Sequence, residues 1–499
     1  MGLKSKLGKP YAKLVAKSNK KWIEKPIKAQ SRIFKSLIKS AQNTAFGKDH
    51  RFEEIMSYKD FKTRVPVVGY EKIKSYIERI QRGEKDVLWP ETPLYFCKTS
   101  GTTSGVKYIP ISKESMPFHI KCAKDAILSY ITETGNTNAL KGGNIFIQGS
   151  PELDESNNIP IGRLSGIVAH YVPWYLQSSN FPSFETNCIE DWEEKLNVII
   201  NETIHQNMTL ISGIPPWVQM YFEKIIAKTG KQISEVFPNF SLLIFGGVAF
   251  EPYRKSFKRL IGKDIPSIET YPSSEGFIAY QDSQTEEGML LCVNHGIFYE
   301  FIPVDEYFDK NPTRISLDDV KLGVDYALIL NTNAGLWGYS IGDTVRFVSK
   351  KPYRIVVSGR IKHFTSAFGE HVIGKEVENA LQISVEKYPT EVNEFHVAPQ
   401  VNPGHGLPYH EWFIEFKKEP KNLDDFMFCL DESMQSQNTY YKDLVDGNLL
   451  RPLVVSKVRK GGFIQYMKSV GKLGGQNKVP RLANNRDIAD KLSEFLDGK

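Results

Sequence analysis

From about position 94 onward, short β-rich runs alternate with amphipathic stretches, and this alternation limits the fold more than any other feature of the sequence. GNIFIQG (143–149), MTLISG (208–213), SLLIFGG (241–247) and PSIETY (266–271) are brief, apolar and end in glycine or a polar residue, as buried strands do. Between them residues 190–207 and 215–229 read as helices, the second opening on Pro215-Pro216-Trp217, where proline suits a first turn. Strands separated by helices predict an α/β region with mainly parallel sheets, whose ligand sits at the carboxyl ends of the strands. Residues 289–357 differ: LLCVNHGIFYEFIP, ALILNTNAGLWGYSIGD and YRIVVSG read as strands joined by tight turns, a β-rich module attached to the same body.

Near Gly359-Arg360 the pattern changes again, to helix 370–382, strands 391–400 and 411–417, helix 422–434 and a strand at 451–457. That order predicts a small α+β domain ending in the glycine- and lysine-rich loop VGKLGGQNKVPRL. The expected division is therefore a large domain, 1–358, and a small mobile lid, 359–499. A length of 499 residues fits such a division, and 41% hydrophobic residues suffice for a substantial core.

The net charge of +6 is unevenly placed, because the first 28 residues hold nine lysines and one glutamate and the rest of the chain is slightly acidic. Ile27, Phe34, Leu37, Ile38 and Ala41 follow at helical spacing, so the lysines read as a helix's solvated face, with a membrane or nucleic-acid patch or a targeting segment as alternatives. No nucleic-acid partner is expected. No signal-peptide pattern opens the sequence, and no apolar run approaches the ~20 residues that span a bilayer. The expectation is a cytoplasmic monomer. Cys97, Cys122, Cys188, Cys292 and Cys429 form no C-x-x-C pair and the histidines no H-E-x-x-H, so neither a disulfide framework nor a zinc site is expected.

Three loops carry the candidate chemistry. FCKTSGTTSGVKYIP (96–110) sets hydroxyls, glycines and a lysine between two apolar runs, the order of a phosphate-binding loop. It is not a Walker loop, because three residues rather than four separate Gly101 from Gly105 and Lys107 is not followed by Ser or Thr. YPSSEG (271–276) offers Glu275 beside two hydroxyls, and GYSIGD (338–343) places Asp343 after a glycine-flanked turn. A carboxylate there can hold Mg²⁺ on nucleotide phosphates or accept hydrogen bonds from ribose.

With AQNTAFGKDH (41–50), SGIPPWVQMYFEKI (212–225), FPNFSLLIFGGVAFEPYR (237–254), SGRIKHFTSAFGEHV (358–372) and GGQNKVPRL (474–482), these segments resemble the adenylate-forming superfamily. Within it the chain is most similar to the Gretchen Hagen family of acyl-acid amido synthetases, its C-terminal segments looking more like bacterial members. The resemblance implies ATP and Mg²⁺, a carboxylic-acid substrate and an amine acceptor, in particular an amino acid. It assigns Ser100, Thr102, Thr103 and Lys107 to ATP phosphates, and Gly246, Gly247 and Val248 to the adenine. Tyr271 would border the base or acyl group, Ser274 contact the nucleotide, and Glu275 bind the metal. Asp343 and Arg360 would take the ribose, and Lys478 would reach the α-phosphate during adenylation. Ser340 stands where the plant pattern Y-R-x-G-D has arginine. Trp174, Tyr175, Trp217 and Phe277 are aromatic candidates for the acyl-pocket wall, against the ordinary alternative of core packing. Two further readings stay open, thioester formation with coenzyme A and a non-enzymatic nucleotide-binding or membrane-surface role.

Overall fold

A computed structural model describes residues 3–100, 106–247, 250–361, 364–365, 368, 372–447, 449–473, 478–483 and 485–498. The chain forms two compact units: Met1–Tyr253, Phe257–Ile341 and Val345–Val357 in one, Arg254–Ser256, Gly342–Thr344 and Ser358–Lys499 in the other. No helix among the described residues is long and apolar enough to cross a membrane.

The larger unit is built on a twelve-stranded sheet. Five strands, Asn180–Phe181, Gly143–Ile147, Met208–Gly213, Leu242–Gly246 and Ser267–Ser273, lie parallel in that order. Helices make their crossovers possible. Trp192–Thr203 starts at Asp191, whose carboxylate accepts from the Glu194 amide at 2.8 Å, a cap that shortens the expected helix at its front. Pro215–Thr229 begins on its prolines and stops at Gly230, whose φ of +69° lets the chain leave through a left-handed cap.

Beyond Ser267–Ser273 the pairing turns antiparallel, through Gly276–Tyr280 and Met289–Leu291 to Tyr353–Arg360. The sheet continues through Tyr339–Lys350, Asp325–Thr332, Ile297–Pro303 and Ile315–Ser316. The α/β expectation is met, with a difference in detail. Residues 289–357 are not an attached module but the other half of the same sheet, and the run of five parallel strands is confined to the first half. Tight turns join strands of opposite direction, whereas a parallel neighbour needs a crossover.

Packed on this unit, the helix Leu3–Ile23 buries Ala12, Asn19 and Trp22 and exposes Lys9, Lys13, Lys17, Lys20 and Lys21. The next helix, Pro26–Ala41, buries Ala29, Ile33, Leu37, Ile38 and Ala41. Deep in the unit, Glu300 is fully buried and accepts from Arg314 at 2.7 Å and Asn331 at 2.8 Å. Arg314 also donates to the Val65 carbonyl, so both charges are compensated.

The smaller unit holds a three-stranded sheet, Glu391–Gln400 antiparallel to Tyr409–Lys418, which runs parallel to Val454–Val458. Alternation along Tyr409–Lys418 sends Trp412 and Ile414 into one cluster with Leu381, Phe395, Phe426 and Leu430. Phe413, on the opposite face, joins Val458, Phe463 and Leu492. Helices Gly374–Lys387 and Leu423–Gln437 cover the first face. The former starts four residues later than expected because Glu376 caps it, accepting from the Ile373 amide at 3.0 Å.

Candidate active site

The first candidate loop joins the strands Tyr95–Ser100 and Val106–Ile111 as a hairpin in register from Tyr95↔Ile111 to Ser100↔Val106. Thr102 and Thr103 lie outside the described residues, and Ser100 closes the first strand. Lys107 pairs with Thr99, and its ammonium stands 5.7 Å from the centre of the Tyr70 ring, a cation–π distance. The Tyr70 hydroxyl in turn accepts from the Tyr108 amide at 2.9 Å, tying this strand to the helix Tyr70–Gln81.

Ser274 and Glu275 form the two-residue turn between Ser267–Ser273 and Gly276–Tyr280. The Ser274 hydroxyl donates to Glu275 Oε2 at 2.8 Å, and Ser273 donates to the Gly276 carbonyl at 2.9 Å, fixing the turn. This turn faces the first hairpin. Burial pushes the Cys97 thiol up to about 12, the Glu275 charge adds to the rise, and Arg163 and the Ser274 hydroxyl oppose it. Cys97, on Tyr95–Ser100, thus reports that this strand and the Ser274-Glu275 turn are neighbours. The oxygen-only donor pair of Glu275 and Ser274 suits a hard cation such as Mg²⁺.

Gly246 ends its strand opposite Thr270. A Cβ there would lie 2.4 Å from the Thr270 carbonyl oxygen, so glycine is required by the neighbouring strand, apart from any approaching base. Gly247 adopts φ +81°, whereas Val248 lies outside the described residues. Tyr271 is buried in the core of the large unit.

Asp343, Arg360 and Lys478 cluster in the smaller unit. Arg360 Nε donates to Asp343 Oδ1 at 2.7 Å. The backbones are joined beside them, with the Ile361 amide donating to the Gly342 carbonyl at 2.7 Å and the Ser358 hydroxyl to Thr344 Oγ1 at 3.0 Å. Lys478 presents exposed surface, yet protein crowds it enough that desolvation is the main cause lowering its pKa to about 8. Repulsion from Arg360 and Arg481 adds to the shift, and Asp343 opposes it. The result is a cation that gives up its proton more readily than an ordinary lysine.

The aromatic candidates are not drawn together. Trp174 is 83% exposed, Phe277 is buried in the core, and Trp217 packs edge-on against Trp192 with ring centres 4.4 Å apart. The side chain of Tyr175 lies outside the described residues. Sequence reasoning missed Arg163, a half-buried cation beside Cys97 at the start of the helix Leu164–Ala169. Its only signal was its place directly after the strand Ile159–Gly162.

Three family models match in chain order: the GH3 family N-terminal domain over residues 16–185, the central domain over 290–360 and the C-terminal domain over 375–487. The chain belongs to the GH3 family. Among relatives, this GH3 chain is 26% identical to indole-3-acetic acid-amido synthetase GH3.15 of Arabidopsis thaliana, with 88% of each chain covered. It is 24% identical to jasmonoyl--L-amino acid synthetase JAR4 of Nicotiana attenuata over 86% of each. The GH3.15 acyl acid amido synthetase structure superposes with a TM-score of 0.81 at 17% identity, covering 97% of this chain and 96% of that one. A 2-hydroxyisobutyryl-CoA ligase superposes at 0.58 with 13% identity, covering 93% and 90%.

Proposed function

We propose that this GH3 protein is an ATP-dependent acyl-acid amido synthetase. It would activate a carboxylic acid as its adenylate and pass the acyl group to an amine, in particular that of an amino acid. The observation that carries the reading is similarity along nearly the whole chain to enzymes named as amido synthetases.

A carboxylate is a poor electrophile, and an amine meeting it at neutral pH takes its proton and forms a salt. Activation solves this. An oxygen of the substrate carboxylate attacks the α-phosphorus of ATP, a mixed anhydride forms, and pyrophosphate leaves with the electron pair of the broken P–O bond. Lys478 supplies positive charge to the α-phosphoryl oxygens during that step, and the hairpin at 96–110 cradles the remaining phosphates with amide and hydroxyl donors. Mg²⁺ held at Glu275, with Ser274 alongside, would neutralise charge on the phosphate oxygens. Asp343 accepts from the ribose hydroxyls, with Arg360 fixing the orientation of its carboxylate. In the second step the amine nitrogen attacks the acyl carbon, the C–N bond forms, AMP leaves, and the nitrogen loses a proton.

The test is a carboxylic-acid library screened by pyrophosphate release with and without amino acids, followed by mass spectrometry of the products. Acid-dependent release and an amide product are expected. A thioester formed only with coenzyme A, or no release with any acid, overturns the reading.

A further inference from the structure

Away from the nucleotide-directed loops, Cys122, Cys292 and His295 meet in the interior of the larger unit, all three buried. Cys122 lies on the helix Met116–Thr134, and the other two lie in the turn after the strand Met289–Leu291. The sulfurs are 3.7 Å apart although 170 positions separate them in sequence, and Cys122 Sγ is 3.5 Å from His295 Nδ1. All three ligand atoms lie within 4.8 Å of one another. Cys292-Val293-Asn294-His295 has a C-x-x-H spacing that a search for C-x-x-C and H-E-x-x-H passes over, and a distant helix brings Cys122 beside it.

The two short edges are those of a tetrahedral zinc ion. With Zn–S of about 2.3 Å and Zn–N of about 2.0 Å, two ligands at the tetrahedral angle are separated by about 3.8 Å for S···S and about 3.5 Å for S···N. The imidazole is held in place by two edge or tilted contacts, Trp22 and Phe118 each having ring centres 5.4 Å from it. Among the described residues, His295 Nε2 and Asp125 Oδ1 are buried without a hydrogen-bond partner. Asp125 Oδ2 is engaged by Asn19 at 2.8 Å and by Lys121. A dication held by Cys122, Cys292 and His295 makes thiolates of the cysteines.

We propose that Cys122, Cys292 and His295 bind one Zn²⁺ as a buried structural ion that pins the helix Met116–Thr134 to the turn after Met289–Leu291. Each thiol loses its proton to solvent on binding, and no oxidant or reductant is involved. This site is independent of the amide-forming reaction, and its test needs no turnover.

The full chain is expressed with zinc, purified without chelators, and its metal measured per chain by plasma mass spectrometry. About one equivalent is expected in the wild type and in Cys429→Ser, a buried cysteine elsewhere, but less than about a tenth in Cys292→Ser and in His295→Gln. Replacement by Co²⁺ is expected to give the intense visible bands of a tetrahedral thiolate site in the wild type, absent from both variants. Should one variant fail to fold by circular dichroism, the other decides. Zinc retained in a folded variant, a wild type that takes up no zinc on reconstitution, uptake of Cu⁺ alone, or a Cys122–Cys292 disulfide in the zinc-supplemented protein each overturns the proposal.

Discussion

Arg360 is bonded to Asp343 at 2.7 Å, with the Arg360 side chain half exposed and that of Asp343 mostly covered. The carboxylate is thereby oriented by a partner that remains open to solvent on its other side. Asp343→Asn preserves the shape but removes the charge that holds Arg360 and would accept from two ribose hydroxyls. Losing hydrogen bonds to a charged acceptor costs about 1.5–3 kcal/mol, so the KM for ATP in pyrophosphate exchange is expected to rise about 10- to 100-fold. An unchanged KM removes Asp343 from the nucleotide site.

Lys478 gives a pH signature as well as a rate effect. Removing one preorganised charge donor typically costs about 10²- to 10³-fold, and Lys478→Ala is expected to slow exchange on that scale while leaving ATP binding intact by calorimetry. With a pKa lowered to about 8, Lys478 is mostly charged at neutral pH and loses its proton as pH rises through that value. Wild-type adenylation should therefore fall on the alkaline side of about pH 8, and the alanine variant should lack that limb. The same alkaline limb in both proteins would assign it to another group.

Gly246→Ala places a methyl group 2.4 Å from the Thr270 carbonyl oxygen, inside a pair of hydrogen-bonded strands. Strand separation at that point is expected to cost about 1–3 kcal/mol, read as a lower melting temperature without any ligand present. A variant with unaltered melting temperature but impaired nucleotide binding would mean that the base alone demands glycine there.

Glu300 and Arg314 make the clearest stability test. Arg314→Met leaves the buried Glu300 carboxylate without its paired cation, and an expected loss of about 3–5 kcal/mol appears in urea unfolding. Adding Glu300→Leu should recover much of it. Equal losses in the single and double variants would show that packing, not charge, holds this region.

Local order was legible where one element carries its own signals. Proline opens and glycine closes Pro215–Thr229, and the two long strands of the smaller unit fall within two residues of their expected bounds. Asp343 stands out in its glycine-flanked turn, whereas the roles of Arg360 and Lys478 come from the family resemblance, and the grouping of all three depends on the fold. Other features had no local trace. Trp217 looks like any pocket aromatic until Trp192 is seen against its ring, and Gly246 looks like a place for a base until Thr270 is seen beside it. Cys122 and His295 lacked any shared sequence signal, because their proximity comes from a helix packing on a distant turn. The antiparallel half of the sheet was read as strands, but nothing local indicated that its edge continues the parallel half.

That continuity sets an order of assembly. Ser267–Ser273 is paired on one side with a hairpin neighbour two residues away and on the other with Leu242–Gly246, which a helix separates from it. Short loops close at lower entropic cost than long crossovers. The hairpin pairing at Phe277–Tyr280 is thus predicted to gain protection in pulsed hydrogen exchange before Leu210–Gly213, and simultaneous protection would refute it. A ribosome delivers the parallel strands first, so they wait for a template made later, and the chain's riskiest interval for aggregation falls before residue 280 has emerged.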